Sequence, residues 1–368
     1  MHNYLMCYML YKKMQKIFVI TIIGIFLSQV YPGFLYARVR GACKVCHSMH
    51  YSKGGTSEGE TYGERTGPFP ILAKGGCLGC HGQAPNGTEN IITIGRARVP
   101  QVIHHMEKGD LAGGNFYYVA DGYRPDYEKG HNVLGISTLE PPPKDIPWGF
   151  VGNVIIPGGM GPENWTRQLT CAGKWGCHGN RTIEDPFEAI HGAHHEDDSV
   201  IDGTTVGKSY RFLYGIKGKE HTDWQYLATI DNHNGYKGDV SYSTMDTISY
   251  LCAECHVTYH MHPNLGGLRA ERIGCHPTDI AFTDVRRGYV GSEYQDYIKY
   301  NLEAPVAYIN PTGREKIVTA DSIVMCLSCH RAHATDYKQG IRWDYDTMVV
   351  RGGGLDRGCF ACHTRKND

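Results

Sequence analysis

Five times the sequence reads Cys-x-x-Cys-His: Cys43-Lys-Val-Cys46-His47, Cys77-Leu-Gly-Cys80-His81, Cys252-Ala-Glu-Cys255-His256, Cys326-Leu-Ser-Cys329-His330 and Cys359-Phe-Ala-Cys362-His363. This spacing attaches c-type haem. Two thioether bonds fix the porphyrin, and the adjacent His becomes the proximal iron ligand. Structural zinc is the competing chemistry, because C-x-x-C is also half of a zinc knuckle. A knuckle needs no His directly after each second Cys, and here one is present every time. A sixth segment, Cys171-Ala-Gly-Lys-Trp-Gly-Cys177-His178, separates its thiols by five residues. It reads as a further haem site with a longer loop, for which Gly173 and Gly176 permit unusual backbone angles. The alternative is a small-loop disulfide with an incidental His. The cofactor is then six haems c, or five if Cys171 and Cys177 bind none. Cys275, in Gly274-Cys275-His276-Pro277, falls outside the series and reads as a small buried filler.

Six proximal histidines (His47, His81, His178, His256, His330 and His363) leave a surplus from the 20 His of the chain. The surplus suffices for bis-histidine iron at every haem. His50 and His333 each lie three residues after a proximal His, placed to ligate a neighbouring haem. His260 follows His256 at i+4. The pairs His104-His105 and His194-His195 are each expected to supply one ligand, with either member eligible. His131 and His276 complete the distal candidates. His191, His221, His233 and His262 carry no comparable context.

The elements that must position these residues are short. Helical signals cover 185–195, 292–300 and the turns that carry each motif, while Pro141-Pro142-Pro143 and Gly158-Gly159 interrupt the rest. Proximal His residues are separated by 34, 97, 78, 74 and 33 positions. That leaves too little chain for a conventional core around each site, so porphyrins must form much of the apolar interior. The 46 Gly in 368 residues and the mean hydropathy of −0.38 fit chain that wraps a cofactor. The 25 Tyr are expected to pack on porphyrin faces. The fold class is therefore a multihaem cytochrome c, mostly irregular coil with short helices and little β, wrapped around a chain of stacked haems.

Residues 12–37 read as an export signal: Lys12, Lys13 and Lys16, an apolar run from Ile17 to Val30, and a small residue at Ala37. This makes 1–37 a leader, with Met14 an alternative start, and 38–368 one haem-threaded domain. The apolar run is too short to span a bilayer, and the mature chain contains no candidate span. A net charge of −1 argues against nucleic-acid binding.

The order and wording of these motifs resemble the OmcS-type hexahaem cytochromes, a family that assembles into extracellular cytochrome filaments. The resemblance is carried by Cys43 to His50 with the following Tyr-Ser-Lys-Gly-Gly, and by Tyr117-Tyr118-Val119-Ala120-Asp121 with Gly130-His131-Asn132-Val133. It continues through Cys252 to His260, His276-Pro277, Cys326 to Ala334 and Cys359 to His363. The family's third motif is an ordinary C-x-x-C-H, from which Cys171 and Cys177 depart. The resemblance implies bis-His ligation, a continuous haem chain and end-to-end stacking of protomers, with His50 a candidate ligand to a haem of the next subunit.

The expected function is electron transfer with no catalytic residues, in a secreted protein at the cell exterior or surface. Its partners would be copies of itself, other redox cytochromes and extracellular acceptors. A discrete periplasmic shuttle is the first alternative. A multihaem reductase of nitrite or a sulfur oxyanion is the second, and it would need an iron with an open position.

Overall fold

A computed structural model of the chain describes residues 39, 41–48, 70–83, 86–122, 125–137, 168–241, 243–256, 278–282, 297–351 and 357–366. The chain divides into two units, Met1–Ala37 and Arg38–Asp368, and every described residue belongs to the second. The expected leader, the breakers at 141–143 and 158–159, His50, His260, His262, Cys275 and His276 lie outside the described residues.

Among the described residues, α-helix is limited to single turns. They are α1 (Cys77–His81), α2 (Pro186–Ala189), α3 (Ile248–Ala253), α4 (Cys326–Cys329) and α5 (Cys359–Cys362). Four of the five carry the residues of a Cys-x-x-Cys-His motif. Local capping starts the turns. Asp185 accepts from the backbone N–H of Phe187 and Glu188 at 2.9 Å each, with Pro186 in the first position. Thr247 caps Tyr250 at 3.2 Å. The helix expected over 185–195 ends after Ala189, because Ile190 leaves the helical region and Gly192 takes φ +79°. Of the helix expected over 292–300, residues 297–300 are instead extended. Lys299 bridges Ile317, and Tyr300 N–H donates to Lys316 at 3.0 Å. Tertiary pairing overrides the local helical signal there.

Three two-stranded antiparallel ladders supply the β structure described. β1 (Ile91–Ile94) pairs with β2 (Ala97–Pro100) in the register Ile91 to Pro100 through Ile94 to Ala97. Gly95, at φ +62°, opens its tight turn. β3 (Gly218–Lys219) pairs with β4 (Gly235–Tyr236), and β5 (Ile280–Ala281) with β6 (Ile323–Val324). None of the described helices is long and apolar enough to cross a membrane.

Apolar burial is divided among small clusters. One gathers Tyr210, Ile216, Tyr236, Leu251, Ile323 and Met325; a second gathers Ile103, Phe116, Val119, Val133 and Ile136. Two smaller ones centre on Tyr297, Tyr300 and Val306, and on Ala304, Trp343 and Ala361. Each has a motif residue packed on its flank: Leu327, Cys171, Cys362 and Cys329 respectively.

Candidate metal centres

Each motif closes one backbone turn in which the His N–H donates to the carbonyl of the first Cys. The bond is 2.8 Å from His47 to Cys43, 2.8 Å from His256 to Cys252, 3.1 Å from His330 to Cys326 and 2.9 Å from His363 to Cys359. In the second motif α1 spans the same turn. His178 makes the equivalent bond to Cys171 at 3.0 Å, although seven positions separate them. The longer segment therefore bulges outward and returns with its ends joined as in the others. Gly173 serves this bulge with φ +82°, as expected. Gly176 serves it through space rather than through backbone angle: a Cβ there would lie 2.5 Å from the Thr170 carbonyl oxygen. Cys171 and Cys177 form no disulfide, nor do the other ten motif cysteines.

Four proximal candidates face a second imidazole across a gap. Ring centroids are 6.0 Å apart for His47 and His195, 6.3 Å for His81 and His194, 6.4 Å for His178 and His333, and 6.2 Å for His256 and His131. An atom bound to two imidazole nitrogens at about 2 Å each, with ring centres about 1.1 Å beyond, would separate centroids by about 6 Å. The four gaps match that span.

The hydrogen bonds of the rings point the same way. The Nδ1–H of His47 donates to the Ile71 carbonyl at 3.0 Å, that of His81 to Pro100 at 2.9 Å, that of His178 to Arg211 at 3.0 Å and that of His330 to Gln339 at 2.9 Å. His131 Nδ1–H donates to Ala332 at 2.7 Å. A carbonyl can only accept, so each bond fixes the tautomer and leaves the Nε2 lone pair for a metal. Burial holds His81, His131, His178 and His330 below the ordinary histidine range, His256 at about 4 and His333 at about 3. Neutral imidazoles are what an iron requires.

The sites succeed one another in sequence order. Burial, then the neighbouring Cys46 and Cys77, raises the Cys80 thiol, which puts the first two motifs side by side. His81 lies within electrostatic reach of His178. Burial pushes Cys255 up to about 12, with Cys177 of the third motif contributing next. The Cys252 and Cys326 thiols share a hydrogen bond, which raises Cys252. Burial followed by Cys359 pushes Cys329 up to about 12. A buried ion pair fastens the middle of this row. Arg181, three residues after His178, donates through Nη2 to Glu254 Oε1 at 2.7 Å and through Nε to Oε2, while Nη1 reaches the Tyr214 carbonyl at 3.1 Å. Glu254 lies inside the fourth motif, and burial raises its carboxyl against the opposing pull of Arg181.

The distal candidates sort unequally. His131, His194, His195 and His333 each face a motif histidine, so both members of the 194–195 pair do so where one was expected. Neither member of the other pair does among the described residues. His105 packs edge-on against Tyr117 at 5.3 Å. Both ring nitrogens of His104 are sealed in protein without a hydrogen-bond partner. His233 is tied down between two carbonyl acceptors, with Nδ1 at 2.8 Å from Asn234 O and Nε2 at 3.1 Å from Glu315 O. His221 sits against the Asp223 carboxylate. An open cavity of about 550 Å³ lies beside His195, bordered by His191, Glu196, Thr205 and Tyr214, a size common to cofactor sites. No described histidine stands opposite His330 at the paired separation.

Burial keeps His104 neutral by lowering its pKa. The unfolded chain takes up that proton below about pH 6.5 and the folded chain resists it, so this contribution is present above that pH and lost below it. Denaturant midpoints measured on either side of about pH 6.5 are expected to converge in His104→Leu relative to the parent. An undiminished acid sensitivity in the variant would contradict this.

Comparison with known proteins agrees with the motif series. The curated C-type cytochrome OmcS of Geobacter sulfurreducens is 24% identical over 351 residues, covering 82% of this chain and 78% of that protein. No family model matches the chain. Among solved structures, the outer membrane cytochrome S filament from Geobacter sulfurreducens aligns over 90% of this chain and 93% of its own, at 17% identity and a TM-score of 0.39. The OmcS nanowires from the same organism align over 83% and 84%, at 20% identity and a TM-score of 0.41.

Proposed function

We propose that the chain is a multihaem c-type cytochrome that carries electrons through six bis-histidine haems and polymerises into an extracellular conducting filament. The observation that carries this is the set of four imidazole pairs separated by 6.0–6.4 Å beside Cys-His attachment segments. The pairs that would hold the irons are His47 with His195, His81 with His194, His178 with His333 and His256 with His131. The thioethers are Cys43 and Cys46, Cys77 and Cys80, Cys171 and Cys177, Cys252 and Cys255, Cys326 and Cys329, and Cys359 and Cys362. His330 and His363 complete the proximal set. The bound haem supplies an iron that changes by one electron. The protein's histidines would hold the irons; its backbone orients the rings through their Nδ1 bonds and keeps the row of sites continuous. An iron held between two such imidazoles would relay electrons and leave no position for a substrate.

His50, by the resemblance, is the candidate to ligate a haem of a neighbouring copy. His260 and His276 are the remaining candidates, for the sixth site. The motif-by-motif resemblance supports assembly end to end, with passage of electrons to other cytochromes and external acceptors.

A pyridine haemochrome assay is expected to return six haems per chain, and five for the double change Cys171→Ser and Cys177→Ser. Five in the parent would remove the third site. Cryo-electron microscopy of the secreted protein is expected to show filaments; a field of monomers would leave a discrete shuttle.

A further inference from the structure

Three of the carbonyls that receive a proximal Nδ1–H belong to residues in the left-handed region, and none of the three is glycine. Ile71 has φ 57° and ψ 20°, Arg211 φ 52° and ψ 34°, and Gln339 φ 62° and ψ 17°. In each case the next residue is left-handed too: Leu72 at 58°, Phe212 at 61° and Gly340 at 65°. The second carbonyl is also used. It accepts from the N–H of the residue that follows the histidine, Ser48 at 2.8 Å, Gly179 at 2.7 Å and Arg331 at 2.9 Å. A β-bridge then forms directly after the turn, pairing Ala73 with His47, Leu213 with Gly179 and Ile341 with His330. The same two-point clamp thus occurs three times, at sequence separations of 24, 33 and 9 residues between histidine and acceptor.

L-residues avoid this conformation, and it persists only where surroundings over-determine it. At Arg211 they do so visibly. Glu220 accepts from its backbone N–H at 2.5 Å, and its guanidinium donates to the His221 carbonyl at 2.7 Å and to Asn234 Oδ1 at 2.9 Å. It also lies 5.7 Å from the ring centres of both Tyr210 and Trp224.

We propose that these left-handed turns are positioning elements for the proximal imidazoles of the first, third and fifth haems, with Ile71, Arg211 and Gln339 as the residues that aim the carbonyl. The inference rests on the haem assignment above. A carbonyl held in line with Nδ1–H makes the imidazole a stronger donor to iron, so loosening the turn raises the potential of the haem it serves.

Gln339 offers the cleanest test, because its side chain is exposed. Gln339→Gly and Gln339→Asn keep access to the left-handed region, whereas Gln339→Val resists it and Gln339→Pro forbids it. Spectroelectrochemical titration is expected to superimpose Gly and Asn variants on the parent. In the Val and Pro variants about one sixth of the haem absorbance should move to higher potential, with a changed low-spin EPR signal. Haem loss confined to Val and Pro would support the same conclusion. Six haems with unaltered titration in all four variants would overturn it. A parent with fewer than five haems would instead overturn the haem assignment itself.

Discussion

Replacing His333 by Ala is expected to give a high-spin ferric EPR signal from about one sixth of the haem iron, where the parent gives only low-spin signals. The half-buried His333 ring lies 6.4 Å from that of His178, three residues beyond the motif histidine His330. Its removal leaves an iron with one protein ligand and an open face, so that centre should also bind carbon monoxide when reduced. Cysteine attachment is untouched, and the pyridine haemochrome count should stay at six. His333→Met supplies a replacement ligand and should keep the centre low-spin at a raised potential. His104→Ala and His105→Ala should leave the EPR spectrum unchanged, since neither ring faces a motif histidine. A high-spin signal from the His104 variant, or none from His333→Ala, would sink the axial assignment.

The second large effect concerns stability. Glu254→Gln is expected to cost about 3–5 kcal/mol, because it leaves the Arg181 guanidinium uncompensated in a buried site. Side-chain exposure is 12% for Arg181 and 5% for Glu254, so water screens little of the unbalanced charge. Equilibrium denaturation would show this as an earlier midpoint with little change in slope. Changing both members to apolar residues, Arg181→Met with Glu254→Leu, should recover most of the loss, since desolvation of the pair offsets much of its attraction. A single variant within about 1 kcal/mol of the parent would mean that the pair sits in a wetter setting than its burial indicates.

The turn that each Cys-His segment forms was legible in the sequence because it is local. Cys-x-x-Cys-His compresses three reactive groups into one turn, and the only departure, at Cys171 and Cys177, still closes with the same bond. The distal side is long-range. His131 reaches His256 across 125 positions, and nothing near either residue announces the other. His194 and His195 are adjacent in sequence, yet they face two different motif histidines. Context made His104 and His105 equally eligible, yet the nitrogens of His104 are enclosed by protein.

Least visible of all were the acceptor turns. Pro-Ile-Leu, Tyr-Arg-Phe and Lys-Gln-Gly share no pattern. Their common backbone shape comes from the clamp that tertiary contacts impose, not from local propensity. The extended stretch at Tyr297–Tyr300 failed as a helix for a related reason: pairing with Lys316 and Ile317 outweighs a weak local preference. Arg181 and Glu254 lie 73 positions apart, and the acidic residue hides among the variable positions of a motif.

His194 faces His81 while His195 faces His47. Consecutive Cα atoms lie about 3.8 Å apart across a trans peptide and cannot separate. Once irons sit between those rings, the first and second centres are joined by a covalent ruler one residue long. Thermal breathing of the surrounding coil can tilt these two centres but cannot pull them far apart. The step between them is therefore the part of the electron path least exposed to the looseness of a chain built with so little regular structure.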